Sequence, residues 1–253
     1  MIHLDNKLPE MTEIWQKTLN WQPSDRQIQQ FQQVYTGILA GNRQQNLTRI
    51  TTPQDFWEKH LWDSLFGVLK VIHDSENLIP LDSDRPLKLI DIGTGAGFPG
   101  IPIAIAFPHW QITLLDSTRK KIAFLDTLIS QLNLDNVRTA INRAEMLGQE
   151  KNQREAYDIA VVRAVSQPSV CAEYSLPLVK VGGLAILYRG HWSDEDTKKL
   201  QPAVTQLKSK VESINSGETP LTQGVRNCIY LRKISPTPAK FPRAVGTPDR
   251  LPL

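Results

Sequence analysis

Between Leu87 and Leu231 the chain alternates short apolar runs with stretches of helical periodicity, a texture that a mostly parallel sheet with helices on both faces produces. Strands are expected at Leu87 to Ile92, Gln111 to Leu115, Val137 to Ile141, Tyr157 to Arg163 and Leu184 to Tyr188. Two further runs, around Val211 and from Cys228 to Leu231, bring the expected sheet to about seven strands. Between them, Thr118 to Leu132 reads as the clearest helix, with Ile122, Leu125, Ile129 and Leu132 on one face, and a polar helix is expected near Asp194 to Lys208. The fold class is therefore α/β and Rossmann-like.

Ahead of this lies a different texture. Ser24 and Gln27 form a capping-box pair, and the run from Asp25 to Ala40 reads as a helix stopped by Gly41. Thr52-Pro53 opens another, in which Trp57, Leu61, Leu65, Leu69 and Ile72 make an apolar stripe that must pack on something. Residues 1–80 are read as an N-terminal helical cap, with His73 to Pro86 as a linker rich in Asp, Ser, Asn and Pro. Residues 87–234 form the expected α/β domain, and 235–253 a basic, Pro-rich C-terminal tail without regular structure.

No apolar run approaches the roughly 20 residues that span a bilayer, and the first residues lack the pattern of a signal or transit peptide, so a cytoplasmic location is expected. Cys171 and Cys228 lie far apart with no ligand spacing around them, which reads as buried, reduced thiols and no metal. The six tryptophans read as core or interface residues rather than a base-stacking platform. Net charge is only +3, but Lys and Arg cluster at Arg119, Lys120 and Lys121, and again from Arg226 to Arg250, where Asp249 is the only acid. A polyanionic partner fits that distribution.

The segment Asp91-Ile92-Gly93-Thr94-Gly95-Ala96-Gly97-Phe98 follows the first expected strand. Glycines there let the backbone approach a ligand and present N–H groups at a helix start, and Pro99 and Pro102 suit that opening turn. Asp116 ends the second strand, placed to accept from ribose hydroxyls, and Glu145 follows the third, suited to an adenine amino group. Gly93, Gly95 and Gly97 at alternate positions, with Asp91 just before, favour S-adenosylmethionine. Gly95 to Gly100 also fits G-x-G-x-x-G, so a nicotinamide dinucleotide, and with it an oxidoreductase, stays as the rival.

Several segments taken together resemble the bacterial ribosomal RNA small-subunit methyltransferase G family, also called glucose-inhibited division protein B. They are Asn46-Leu47-Thr48-Arg49-Ile50, Trp57 to Leu65, Asp91 to Pro102, Leu114 to Ser117, Arg143-Ala144-Glu145, Arg163-Ala164-Val165, Phe241-Pro242-Arg243 and Gly246-Thr247-Pro248. The resemblance implies a class I S-adenosylmethionine-dependent fold and methyl transfer to N7 of one guanine in the decoding-region loop of 16S rRNA. It implies cofactor contacts from Gly93, Phe98, Asp116, Ser117, Thr118, Ala144, Glu145 and Arg163. The partner it implies is 16S rRNA, free or within the small subunit or its assembly intermediate. Where the family often carries Lys-Arg, Lys-Gly and Tyr, this chain has Lys120-Lys121, Arg189-Gly190 and Phe241. Arg119, Lys120, Lys121, Arg189 and Arg243 are read as RNA contacts, Arg243 because a tail without core contacts has little other reason to be charged.

Guanine N7 has a free lone pair and needs no proton removed, so no single catalytic side chain is expected. The Asp/Asn-Pro-Pro-aromatic loop used on exocyclic amines is absent after the fourth strand, where Val162-Arg163-Ala164-Val165 stands, and neither cysteine follows a proline. Blander readings stand beside these: Arg163 as a structural partner of Asp158 or Glu145, His60 with Asp63 as a surface pair or cap, and Arg119 to Lys121 as a solvated helix end. A non-catalytic RNA-binding or assembly protein on the same fold is the third functional class.

Overall fold

The computed structural model describes residues 7–73 and 85–253. Most of the segment read as a linker therefore lies outside the described residues. Seven strands form one sheet in the order β3-β2-β1-β4-β5-β7-β6. They are β1 (Lys88–Ile92), β2 (Gln111–Asp116), β3 (Val137–Ile141), β4 (Tyr157–Arg163), β5 (Val179–Arg189), β6 (Ser209–Glu218) and β7 (Val225–Lys233). The first five are parallel, while β7 runs antiparallel to both β5 and β6. The order reverses between β1 and β4, and a ligand crevice opens beyond the carboxyl ends of strands at such a point.

Alternation along the strands sorts side chains between two cores. Leu89, Ile159 and Val161 face one, which holds α1 (Thr12–Leu19), α2 (Asp25–Asn42), α4 (Asp63–His73), α5 (Gly100–Ala106) and α6 (Arg119–Leu132). Ile90, Ile92, Ala160 and Val162 face the other, against α8 (Pro168–Ser175) and α9 (Asp194–Gln206). The capping box forms as expected: Ser24 Oγ accepts from the Gln27 amide and Gln27 Oε1 from the Ser24 amide at 2.8 Å. Helix α2 runs on through Gly41 to Asn42, so that glycine does not end it.

The second N-terminal helix departs from the expected regular spiral. Short α3 (Pro53–Phe56) leads into a π-helical stretch, Trp57–Trp62, before α4 begins, and the whole region from Phe56 to Leu65 is buried except for half-buried Lys59. Such a stretch widens the turn and re-aims the side chains around it. Glu58, fully buried, accepts from the Leu221 and Thr222 amides at 2.6 and 2.9 Å and so caps the β6–β7 turn. From the sheet side, Tyr188 and Tyr230 hydroxyls donate to the carbonyls of Ser64 and Gly67. Helix and sheet are thus tied by polar bonds as well as by apolar burial.

The C-terminal segment corrects the expectation of a tail without core contacts. Phe241 is 1% exposed in the second core, and Arg154 donates to the carbonyls of Gly148, Thr237 and Phe241 at 2.6 to 2.9 Å. Arg243 donates to Glu173, itself fully buried, through Nε, Nη2 and the backbone amide. A single helical turn, α10 (Thr247–Arg250), follows. Its proline content and lack of periodicity concealed a segment held by individual contacts.

Candidate active site

Beyond the carboxyl ends of β1 to β4 lies a cleft of about 290 Å³. Gly93, Asp116, Ser117, Thr118, Ala144 and Glu145 line it together, joined by Lys121, Asn142, Arg143, Ala164, Val165, Tyr174 and Asp249. Six of the residues expected to contact the cofactor therefore meet in one place. Asp116 is nearly buried, and its two oxygens accept from the Gly95 amide at 3.0 Å and the Thr118 amide at 2.8 Å. That fixes the carboxylate against the loop while leaving it acceptor capacity toward the cleft.

The glycine loop is shaped by left-handed backbone. Gly93, Gly95 and Gly97 have φ of +70°, +60° and +95°. Their surroundings differ. A Cβ on Gly97 would strike Ile101 and Leu125 at 2.7 and 2.9 Å, so Gly97 serves the packing of α5 and α6 rather than the cleft. At Gly95 a Cβ would meet only the Gly93 carbonyl, at 3.9 Å, and would otherwise enter open space. Beneath the loop, fully buried Asp91 accepts from Thr94 Oγ1 and the Gly100 amide through Oδ2, while Oδ1 has no partner. Burial pushes its carboxyl up to about 6, against the lowering influence of those hydrogen bonds. Ala164, directly after β4, has φ +55°, an uncommon conformation for a residue with a Cβ.

Glu145, in the short α7 (Ala144–Leu147), is 2% exposed and already engaged. Arg143 donates to its two oxygens at 2.9 and 3.2 Å, and the Gly246 amide donates at 3.0 Å. Burial alone would raise this carboxyl, but the guanidinium and the amide outweigh it and hold it below its usual range.

Phe98 and Arg163 do not line the cleft with the other expected residues. Arg163 points to the face carrying the N-terminal helices, where it donates to Asp63 at 2.7 Å and to the Lys59 carbonyl at 3.1 Å. Its partner is thus neither Asp158 nor Glu145. Asp63 also accepts from Arg226 at 2.8 Å. The Phe98 ring stacks on His60 with centroids 4.2 Å apart and planes 6° from parallel, and the Arg163 guanidinium lies 5.8 Å from the Phe98 centroid. Burial, then Arg163, lowers His60 to about 3, which keeps the imidazole neutral, with Nε2 2.9 Å from Thr48 Oγ1. His60 and Asp63 are therefore a buried junction between the helical cap and the glycine loop, not a surface pair.

The five basic residues read as RNA contacts separate into two sets. Arg119 and Lys120 are exposed in the first turn of α6, which carries no acid. Three cations at the positive end of a helix dipole are unfavourable unless an anion comes near. Lys121, by contrast, lines the cleft 3.8 Å from Asp116, and Arg189 is half-buried, donating to the Ser166 carbonyl at 2.7 Å and to Cys171 Sγ. Arg243 is committed to Glu173, so the charge read as an RNA contact is spent inside the protein.

Tyr174, Asn142, Arg143 and Asp249 were not expected at this site. Asp249, the lone acid in the basic tail, and Arg143, within the Arg143-Ala144-Glu145 segment, carried a signal in the sequence, while Tyr174 and Asn142 carried none. Among the described residues no helix is long and apolar enough to cross a membrane.

A family model described as rRNA small subunit methyltransferase G matches residues 27–225. A ribosomal RNA small subunit methyltransferase G of Trichormus variabilis is 56% identical over 99% of this chain and 100% of its own length. That of Trichodesmium erythraeum is 52% identical over 97% of this chain and 94% of its own. Among solved structures, a W203A mutant of the 16S rRNA (adenine(1408)-N(1))-methyltransferase from Catenulisporales acidiphilia covers 61% of this chain and 88% of its own, at 13% identity and a TM-score of 0.51. The likeness to that structure is one of fold.

Proposed function

Since the chain belongs to the rRNA small subunit methyltransferase G family, an S-adenosylmethionine-dependent group of class I fold acting on 16S rRNA, we propose that it methylates N7 of one guanine in the decoding-region loop. The nicotinamide and non-catalytic alternatives give way to that membership. The observation that carries the site reading is the convergence of Gly93, Asp116 and Glu145 on one cleft at the strand-order reversal. In this reading Asp116 takes the ribose hydroxyls, Ser117, Thr118, Ala144 and Glu145 surround the adenine, and Gly93 and Gly95 leave room for the amino acid end. Phe98 and Arg163 support the loop from the cap side. Arg119 and Lys120 meet rRNA phosphates. The substrate in this reading is 16S rRNA, free or within the small subunit or its assembly intermediate, in the cytoplasm.

Asp91 fits the cofactor on its own evidence. Its buried, unpartnered Oδ1 lacks a donor of the kind that an α-ammonium group provides. When bound, S-adenosylmethionine supplies an electrophilic methyl on a sulfonium. What remains for the protein is to orient donor and base and to exclude water around a guanine that gains positive charge. No proton needs to leave N7 first. The carboxylates lining the cleft suit that role, since Asp116, Glu145 and Asp249 are all fixed by hydrogen bonds rather than poised as bases.

A pH dependence follows. An ammonium group favours ionised Asp91, so cofactor affinity should be full above about 6 and weaken as the pH falls through that value, by at most tenfold per unit. Calorimetric titration from pH 5 to 8 measures it, and Asp91→Asn should flatten the profile. The protein without cofactor moves oppositely. Its raised carboxyl contributes stability below the unfolded value of 3.8 that is lost as the pH rises through about 6. The functional reading itself is tested by transfer of labelled methyl to unmodified 16S rRNA, assembly intermediates and finished subunits. Transfer to none of them would refute it.

A further inference from the structure

The family model ends at residue 225, yet Asp249, which lines the cleft that holds Glu145, comes after it. Asp249 in α10 accepts from Tyr174 Oη at 2.7 Å and from Ser166 Oγ at 2.8 Å, and lies 4.0 Å from Arg143. Tyr174, Arg143 and Asp249 all line the cleft. Three residues earlier in the chain, the Gly246 amide donates to Glu145. Gly246 has φ +76° and no atom within 4 Å of where a Cβ would stand, while Pro248 beside it is buried, so the turn is held by these polar contacts together with that one packed ring. Upstream, Phe241 and the Arg243–Glu173 pair anchor the segment firmly. Between that anchor and the chain end, Arg243 Nη1 donates to the Leu251 carbonyl at 2.8 Å, and the Asp249 side chain ties the α10 turn to Tyr174 and Ser166.

We propose that Asp249 is a positioning residue for the cofactor: by bonding Tyr174 and Ser166 it holds the Gly246 turn over the nucleoside end of the cleft, where the Gly246 amide fixes the Glu145 carboxylate. This rests on the reading of the cleft as the S-adenosylmethionine site. Glu145 receives three donor contacts from Arg143 and Gly246, and the Gly246 contact comes from the C-terminal segment that Asp249 ties down. Losing it lets Glu145 turn toward Arg143 and opens the cleft to water on its outer side. The Tyr174 hydroxyl stays a donor throughout, since burial and the neighbouring carboxylate push its ionisation well up. The expected consequence is weaker cofactor binding with little loss of fold, because the Asp249 side chain is 46% exposed and the anchor is untouched.

The test is S-adenosylmethionine titration of the full chain and of Asp249→Ala, Asp249→Asn, Tyr174→Phe and the Asp249→Ala/Tyr174→Phe pair, with methyl-transfer kinetics alongside. Asp249→Ala should bind about tenfold more weakly and raise the KM for cofactor while leaving kcat near wild type. Asn at 249 can still accept from Tyr174 and donate to Ser166 Oγ, so Asp249→Asn should recover most of the affinity. The double variant should be little worse than the worse single one. Wild-type binding with Asp249→Ala within twofold of it overturns this inference alone, as does failure of Asp249→Asn to recover. Wild-type protein that does not bind S-adenosylmethionine overturns the reading of the cleft, and this inference with it.

Discussion

Gly95→Ala should bind S-adenosylmethionine on the order of a hundredfold more weakly while losing only about 1–2 kcal/mol of stability. The two effects separate because of what surrounds the position. With φ +60° an alanine there is strained in its backbone, which accounts for the modest stability loss. Its methyl meets no protein atom closer than the Gly93 carbonyl at 3.9 Å, so it projects into space that a ligand approaching the loop would need. Gly97→Ala gives the contrasting result. There the methyl drives into Ile101 and Leu125, so overpacking adds about 1–3 kcal/mol to the backbone strain and the fold itself suffers. Urea unfolding without cofactor and calorimetry with it distinguish the two. Equal affinity of Gly95→Ala and wild type would place the ligand away from this loop.

The second large effect lies on the other side of the loop. Asp63 is 6% exposed and stands between Arg163 and Arg226, accepting from each through a separate oxygen. Asp63→Ala removes the carboxylate that Arg163 and Arg226 share and leaves two guanidinium groups facing one another, so a loss of about 3–5 kcal/mol in urea unfolding is expected. Asp63→Asn keeps one acceptor and should lose less. Because Arg163 lies over Phe98 and beside His60, the cap and the glycine loop should loosen together. Asp63→Ala within 1 kcal/mol of wild type would mean that the junction is solvated and contributes little.

Regular elements were legible in the sequence because they rest on periodicity. The bounds of β3 and β4 coincide with those read from apolar runs, and α6 begins one residue after its expected start. Residues at strand ends were legible too, since Asp116 and Glu145 follow from where β2 and β3 stop. What periodicity does not carry is the partner of a polar residue. His60 and Asp63 lie off the apolar stripe of Trp57, Leu61 and Leu65, where a regular amphipathic helix turns polar side chains to water. The π-helical stretch and the arginines of β4 and β7 turn them inward instead. Arg243 illustrates the same blindness in the tail: its charge looked free because Glu173, seventy residues away in sequence, is invisible to local pattern.

Of the five basic residues expected to meet RNA, two are exposed. With Arg189 and Arg243 spent on internal bonds and Lys121 turned to the cleft, Arg119 and Lys120 remain exposed at the start of α6 beside it. The most direct measurement on the central claim is mapping of the modified atom. Wild-type protein and S-adenosylmethionine are incubated with unmodified small-subunit rRNA and subunits, which are then cleaved chemically at N7-methylguanine. One cut at a single guanine of the decoding-region loop, absent with Gly95→Ala, is the predicted result. Methyl on another atom or another base, or no transfer to any of these substrates, would contradict it.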